Sequence, residues 1–244
     1  MHVPDGWIDL PTSAAAGVVA LAATAVAGRK AAVAWRDKST TLPAVVAAYL
    51  LVGQLLVLPV GFGTSAHLIG AGLAALLVGP EIAIMCVAIV VVVQAVVLAD
   101  GGITALGINL IDDGIVPAVV AATFFAACRP FLRRCSDIGS HRAAAIAAGA
   151  SAALASLAAA GSAALFFVVG GTDVVPARTV ATAIGAGHLV IAVLEGVLTA
   201  LAVASILRLR PDLVRAYRRP VDGPTGRIPG ISPREVAPHD ERVP

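Results

Sequence analysis

The chain has 244 residues, of which 59% are hydrophobic, 13% charged and 4% aromatic, with a formal net charge of +2; an ordinary soluble domain is roughly a quarter charged. At a mean hydropathy of +0.93 the polar side chains are too few to cover a water-soluble globule, which excludes a soluble enzyme or a nucleic-acid-binding domain. Apolar runs of about twenty residues, the length that crosses roughly 30 Å of hydrocarbon at 1.5 Å per residue, indicate an all-α, polytopic membrane helix bundle rather than a barrel of short alternating strands.

Seven spans are expected in chain order, over residues 12–28, 42–60, 67–79, 82–99, 115–128, 143–170 and 180–207. In the first, Ala16, Ala20, Thr24 and Gly28 form a stripe of small side chains suited to close helix contact. The third is short. It either crosses where the bilayer is thin or forms one arm of a re-entrant pair hinged at Gly79-Pro80-Glu81. Between the fourth and fifth spans, ADGGITALGINLIDDGIVP carries Asp100 and Asn109 among helix-breaking glycines, followed by Asp112 and Asp113. These last two read as loop carboxylates, either concentrating cations at the mouth or simply solvated. In the last span His188 and Glu195 are seven apart and share a helix face. The stretch 209–244 is rich in Pro, Arg, Asp and Glu and is expected to be a disordered cytoplasmic tail. The chain thus divides into an extracellular segment 1–11, a bundle 12–208 and that tail. Cys86, Cys128 and Cys135 have no CxxC spacing and are given no redox or metal role.

Charge placement orients the bundle. With the N-terminus outside, the inner segments hold sixteen of the seventeen Lys and Arg residues; the outer segments hold Arg178 alone, against Asp5, Asp9, Asp100, Asp112, Asp113 and Asp173. The positive-inside rule then sets the N-terminus outside and the C-terminus in the cytoplasm. The first base, Arg29, follows the first apolar run instead of preceding it, so a cleavable signal peptide is not expected and Met1 stays as the N-terminus.

That placement gives the opening MHVPDGW its chemistry. A histidine at position two lets the Met1 amine, the His2 amide and the His2 Nδ1 close a five- and a six-membered chelate ring on one ion. One corner of a square plane is left open, an arrangement that suits Ni(II) and Cu(II) and admits Co(II). Of the other histidines, His141 and His239 fall on the inner side, leaving His67 as the expected fourth ligand and His188 as a residue behind the ligands or a gate. Pro4 and Gly6 supply a turn that folds the start back, and Asp5 is available to orient an imidazole N–H. Glu195, costly in mid-span, is either an interhelical hydrogen bond, an anchor for His188 or a contact in the ion path. Asp100 and Asn109 are placed as supporting residues near the mouth. An intramembrane metalloenzyme lacks its HExxH motif, a passive channel its repeated filter, and GxxxxGK[ST] is absent, so ATP hydrolysis is left to other chains.

MHVPDGW, GTSAHLIGAGLAALLVGP, QAVVLADGGITALGINL and GHLVIAVLEGVLTA resemble the MHIPDG opening, the GTSGHLLGG-type segment, the QALLFADGG…LGAN segment and the HLLIGIGEAL-type last span of one family. These belong to the substrate-binding (S) components of energy-coupling-factor cobalt and nickel transporters, the CbiM/NikM family, and cover most of residues 1–207. The resemblance implies a site made of the Met1 amine, the His2 amide and ring, and the His67 ring. It also implies Co(II) or Ni(II) as cargo, with cobalt for cobalamin synthesis expected and nickel for nickel enzymes the alternative. The implied partners are a transmembrane coupling protein, two cytoplasmic ATPases, surrounding lipid and, in some cases, a small separate auxiliary membrane subunit. Asp112-Asp113 departs from the pattern, standing where relatives carry an Asn-Met-like pair.

Overall fold

The computed structural model describes residues 2–34, 41–61, 64–132, 137–172 and 176–217. Helices α1 (Leu10–Ala34) and α2 (Thr41–Gln54) are followed by a hairpin of β1 (Val57–Gly61) and β2 (Thr64–His67). Next come α3 (Ala71–Val78), α4 (Pro80–Val97), α5 (Leu106–Leu110), a π-helical turn (Ile111–Ile115) and α6 (Val116–Leu132), and then α7 (Asp137–Gly170) and α8 (Ala177–Leu209). Five apolar helices among the described residues are long enough to cross a membrane, the run through α5, the π turn and α6 counting as one. Their outward faces carry exposed Leu21, Val33, Ile89, Val169 and Leu201, as expected where lipid is the solvent. The chain is a multi-pass membrane protein.

Three expected spans differ, the second, the third and the fifth, the last running over Leu106–Leu132 instead of 115–128. The second ends at Gln54 rather than at residue 60, because Val57–Gly61 pairs antiparallel with Thr64–His67; its Val and Leu residues are as apolar as a span, and only the pairing makes them strand. The third is helical over eight residues, a rise of about 12 Å that covers less than half the hydrocarbon thickness. The approach to it is extended chain, tolerated because Ala66, His67, Ile69 and Gly70 are buried in protein. Gly79 and Pro80 then turn directly into α4.

The helices alternate in direction, which separates two ends. At one, Asp9 N–H donates to the Gly170 carbonyl at 2.7 Å, joining the start of α1 to the end of α7. At the other, Arg215 donates to the Val78 carbonyl at 2.8 Å and lies 3.7 Å from Glu81, and Arg129 donates to the Ala216 carbonyl at 2.7 Å. Residues 211–217 therefore form short 3-10 turns docked on the bundle, with Val214 buried. Residues 209–217 of the expected tail are thus ordered against the bundle, and 218–244 lie outside the described residues. Small residues allow close crossings: a Cβ at Gly149 of α7 would lie 2.5 Å from the Gly196 carbonyl oxygen of α8, and one at Gly107 of α5 would lie 2.4 Å from Gly17 Cα of α1. The expected stripe on α1 is partly realised, with Ala16 and Ala20 buried on the side that meets α4 and α5.

Candidate metal centre

The N-terminal segment is tied down almost residue by residue. Val3 donates its N–H to Asn109 Oδ1 at 2.7 Å, while Asn109 Nδ2 and the Gly102 N–H donate to the Val3 carbonyl at 3.2 and 2.9 Å. Asp5 Oδ1 accepts from the Thr104 N–H and hydroxyl at 2.7 and 2.6 Å. Thr172 donates its hydroxyl to Gly6 O and its N–H to Trp7 O, and Ile8 bridges to Gly171. Trp7 packs edge-on against Phe167 with 6.1 Å between ring centroids. The turn expected at Pro4–Gly6 forms, with Gly6 at φ 79°. Glycine at 101 is required twice over: its φ is +100°, and a Cβ there would sit 3.0 Å from both His2 Cβ and Asn109 Nδ2.

This docking drives the His2 side chain into the bundle until 2% of it is exposed. Its ring stacks on that of His67 at 4.9 Å between centroids and 28° between planes. Nδ1 of His2 lies 3.3 Å from Asp100 Oδ1, and Nε2 lies 3.4 Å from Asp113 Oδ2. One donor atom each from His2, His67 and Asp113 falls within 4.8 Å of the others, close enough to share an ion. His67 faces its Nδ1 to the Leu68 carbonyl at 3.1 Å. A proton on Nδ1 there leaves Nε2 as a lone pair. The Nε2 atoms of His2, His67 and His188 and both oxygens of Asp113 are buried with no hydrogen-bond partner among the described residues. So many buried, unsatisfied donors and acceptors at one place suit a cation.

Burial disfavours a charged His2 ring, yet the hydrogen bond to Asp100 and the charges of Asp113 and Asp100 outweigh it and raise the imidazole above its ordinary value. The same hydrogen bond holds the Asp100 carboxyl low. Asp5, exposed, is also held low, by its bonds from Thr104.

The expected site residues are only partly brought together. His2 and His67 meet, Asp100 touches His2, and Asn109 holds the segment that carries it; Met1 lies outside the described residues. Asp5 does not orient an imidazole. It pins the loop at Thr104, and Asp100 faces His2 instead. Glu195 does not anchor His188: Oε1 accepts from the Gly70 N–H at 2.6 Å, three residues past His67, while His188 bonds through Nδ1 to its own helix at Ile184 O, 3.0 Å away. Glu195 thus ties α8 to the turn before α3, and Gln54 grips the same turn by donating to Ile69 O at 3.1 Å. Asp112 and Asp113 are not loop carboxylates. Both are fully buried in the π turn, Asp112 accepting from the Ser162 hydroxyl of α7 at 2.5 Å and Asp113 facing His2. Reading the apolar run as continuous from 106 to 132 would have flagged them, since acids inside a span mark functional sites.

Residues 2–213 match the family model of the cobalt uptake substrate-specific transmembrane region, CbiM. The chain belongs to the CbiM family. Among relatives, this chain is 34% identical to the putative metal transport protein of Haloquadratum walsbyi, over 88% of its own length and 93% of the relative. It is 33% identical to the putative fused nickel transport protein NikMN of Archaeoglobus fulgidus, over 90% and 70%. A crystal structure of a truncated transition metal transporter superposes with TM-score 0.72 at 25% identity, over 85% of this chain and 99% of that one.

Proposed function

We propose that this CbiM-family chain is the substrate-capture subunit of an energy-coupling-factor transporter that imports Co(II) or Ni(II). The observation that carries the reading is the burial of the His2 ring against His67 beneath a pinned N-terminal segment. A divalent ion arriving at the outer face exchanges its waters for the Met1 amine, the His2 amide, His2 Nδ1 and His67 Nε2. Asp100, now facing Nδ1, is the group the ion displaces. The amine and amide give up protons as they bind, so capture weakens in acid. The basic end, with Arg129 and Arg215 clustered around Glu81, is the cytoplasmic end by the positive-inside rule and faces a membrane coupling protein and two ATPases. Those partners carry the catalysis, and the chain itself is no enzyme.

Relatives named for nickel and for cobalt transport support a site that serves both ions, with cobalamin synthesis one destination of imported cobalt. The test is metal titration of the purified protein with a native N-terminus beside the same protein acetylated at the Met1 amine. Acetylation removes the α-amine donor, and affinity is expected to collapse; equal affinity refutes the reading. Accumulation in vesicles that depends on ATP and on added partner subunits separates this role from a passive channel.

A further inference from the structure

Asp113 is fully buried, and both its oxygens lack a hydrogen-bond partner among the described residues. An ionised carboxylate in that state is costly unless a positive or polarised group answers it. Its neighbour in the π turn, Asp112, has an answer in Ser162. The group facing Asp113 is His2 Nε2, 3.4 Å from Oδ2, and that nitrogen is likewise without a partner. Two orphan atoms thus face each other across one short gap.

The geometry of the N-terminal chelate makes this gap meaningful. A six-membered ring through the His2 backbone nitrogen can be closed by Nδ1 and not by Nε2, so a chelated ion lies on the Nδ1 side of the ring and Nε2 must carry the proton. We infer that Asp113 is a positioning residue for the ion, accepting the His2 Nε2–H so that Nδ1 is presented to the metal. The π turn supports this role, since its altered helical phase lets two successive carboxylates both be buried, one bonded to α7 and one facing the site. The inference rests on the chelate proposed above and adds the carboxylate behind it.

The experiment loads Ni(II) into the native protein, D113N and S162A, and measures affinity by competition with a chromophoric chelator together with the Ni(II) d–d absorption band. Loss of a carboxylate behind a ligating histidine weakens affinity about 10- to 100-fold. D113N is therefore expected to bind that much more weakly, with its d–d band moved to lower energy because His2 becomes a poorer donor. S162A, which removes the hydroxyl bonded to Asp112 and no group facing His2, is expected to keep both values. D113N binding within twofold of the native protein with an unmoved band overturns the inference. Should D113N fail to fold, 15N-histidine NMR of the native Ni(II) protein decides: a slowly exchanging, downfield Nε2 proton on His2 supports the pairing, and a rapidly exchanging one refutes it. Acetylation of the Met1 amine separates the two levels. Unaltered binding by the acetylated chain removes the chelate, whereas collapse of its binding together with native-like D113N removes only the role of Asp113.

Discussion

Asn109→Ala tests whether the docked N-terminal segment is what makes the centre. Asn109 is fully buried and satisfies both polar groups of the Val3 peptide, accepting its N–H at 2.7 Å and donating to its carbonyl at 3.2 Å. Alanine leaves the Val3 N–H unpaired, while the carbonyl keeps the Gly102 N–H. One buried orphan donor costs about 1–3 kcal/mol. A docking penalty of about 2 kcal/mol corresponds to roughly 30-fold in the population of the docked segment, and the apparent dissociation constant rises by up to that factor because only the docked chain binds. Ni(II) titration against a competing chelator reads the affinity, and hydrogen exchange of the amides of residues 3–9 reads the docking. Faster exchange together with weaker binding is expected. Native affinity in a variant whose segment exchanges faster would refute the reasoning, since the ion would then not depend on how the segment is held.

Three further outcomes follow from other contacts. Glu195→Ala leaves the Gly70 N–H without its 2.6 Å acceptor and is expected to lower thermal stability by about 2 kcal/mol and to weaken metal binding through a looser His67, whereas Glu195→Gln, which keeps an acceptor oxygen, retains most of both; a melting curve and a titration check this. Gly101→Ala forces a Cβ against His2 and Asn109 at φ +100°, so metal binding is expected to be lost while helical content by circular dichroism is unchanged. Because Asp100 and Asp113 together outweigh burial and raise the His2 imidazole, protons compete with the ion at a higher pH than for an ordinary histidine: affinity falls as pH drops through the raised value, and Asp100→Asn moves that loss to lower pH in a series of titrations.

The long apolar runs and the uneven placement of the bases are local or additive properties, legible in the residues alone: a span is set by its own length and hydropathy, and the proposed chelate by consecutive atoms. What the sequence could not decide is which polar groups meet across elements. His188 and Glu195 share a face, yet positions seven apart are separated by about 10 Å along the axis, and each finds its partner elsewhere, at Ile184 and Gly70. Asp5 and Asp100 look equally able to orient a histidine; docking of the N-terminal segment brings Asp100 to His2 and Asp5 to Thr104. Asp112-Asp113 reads as a loop because acids usually seek water, and only packing against α7 and His2 holds both inside the bundle. The hairpin after α2 is apolar enough to be a span, and its strand character exists only in its pairing, which carries His67 to the buried ring of a residue 65 positions earlier.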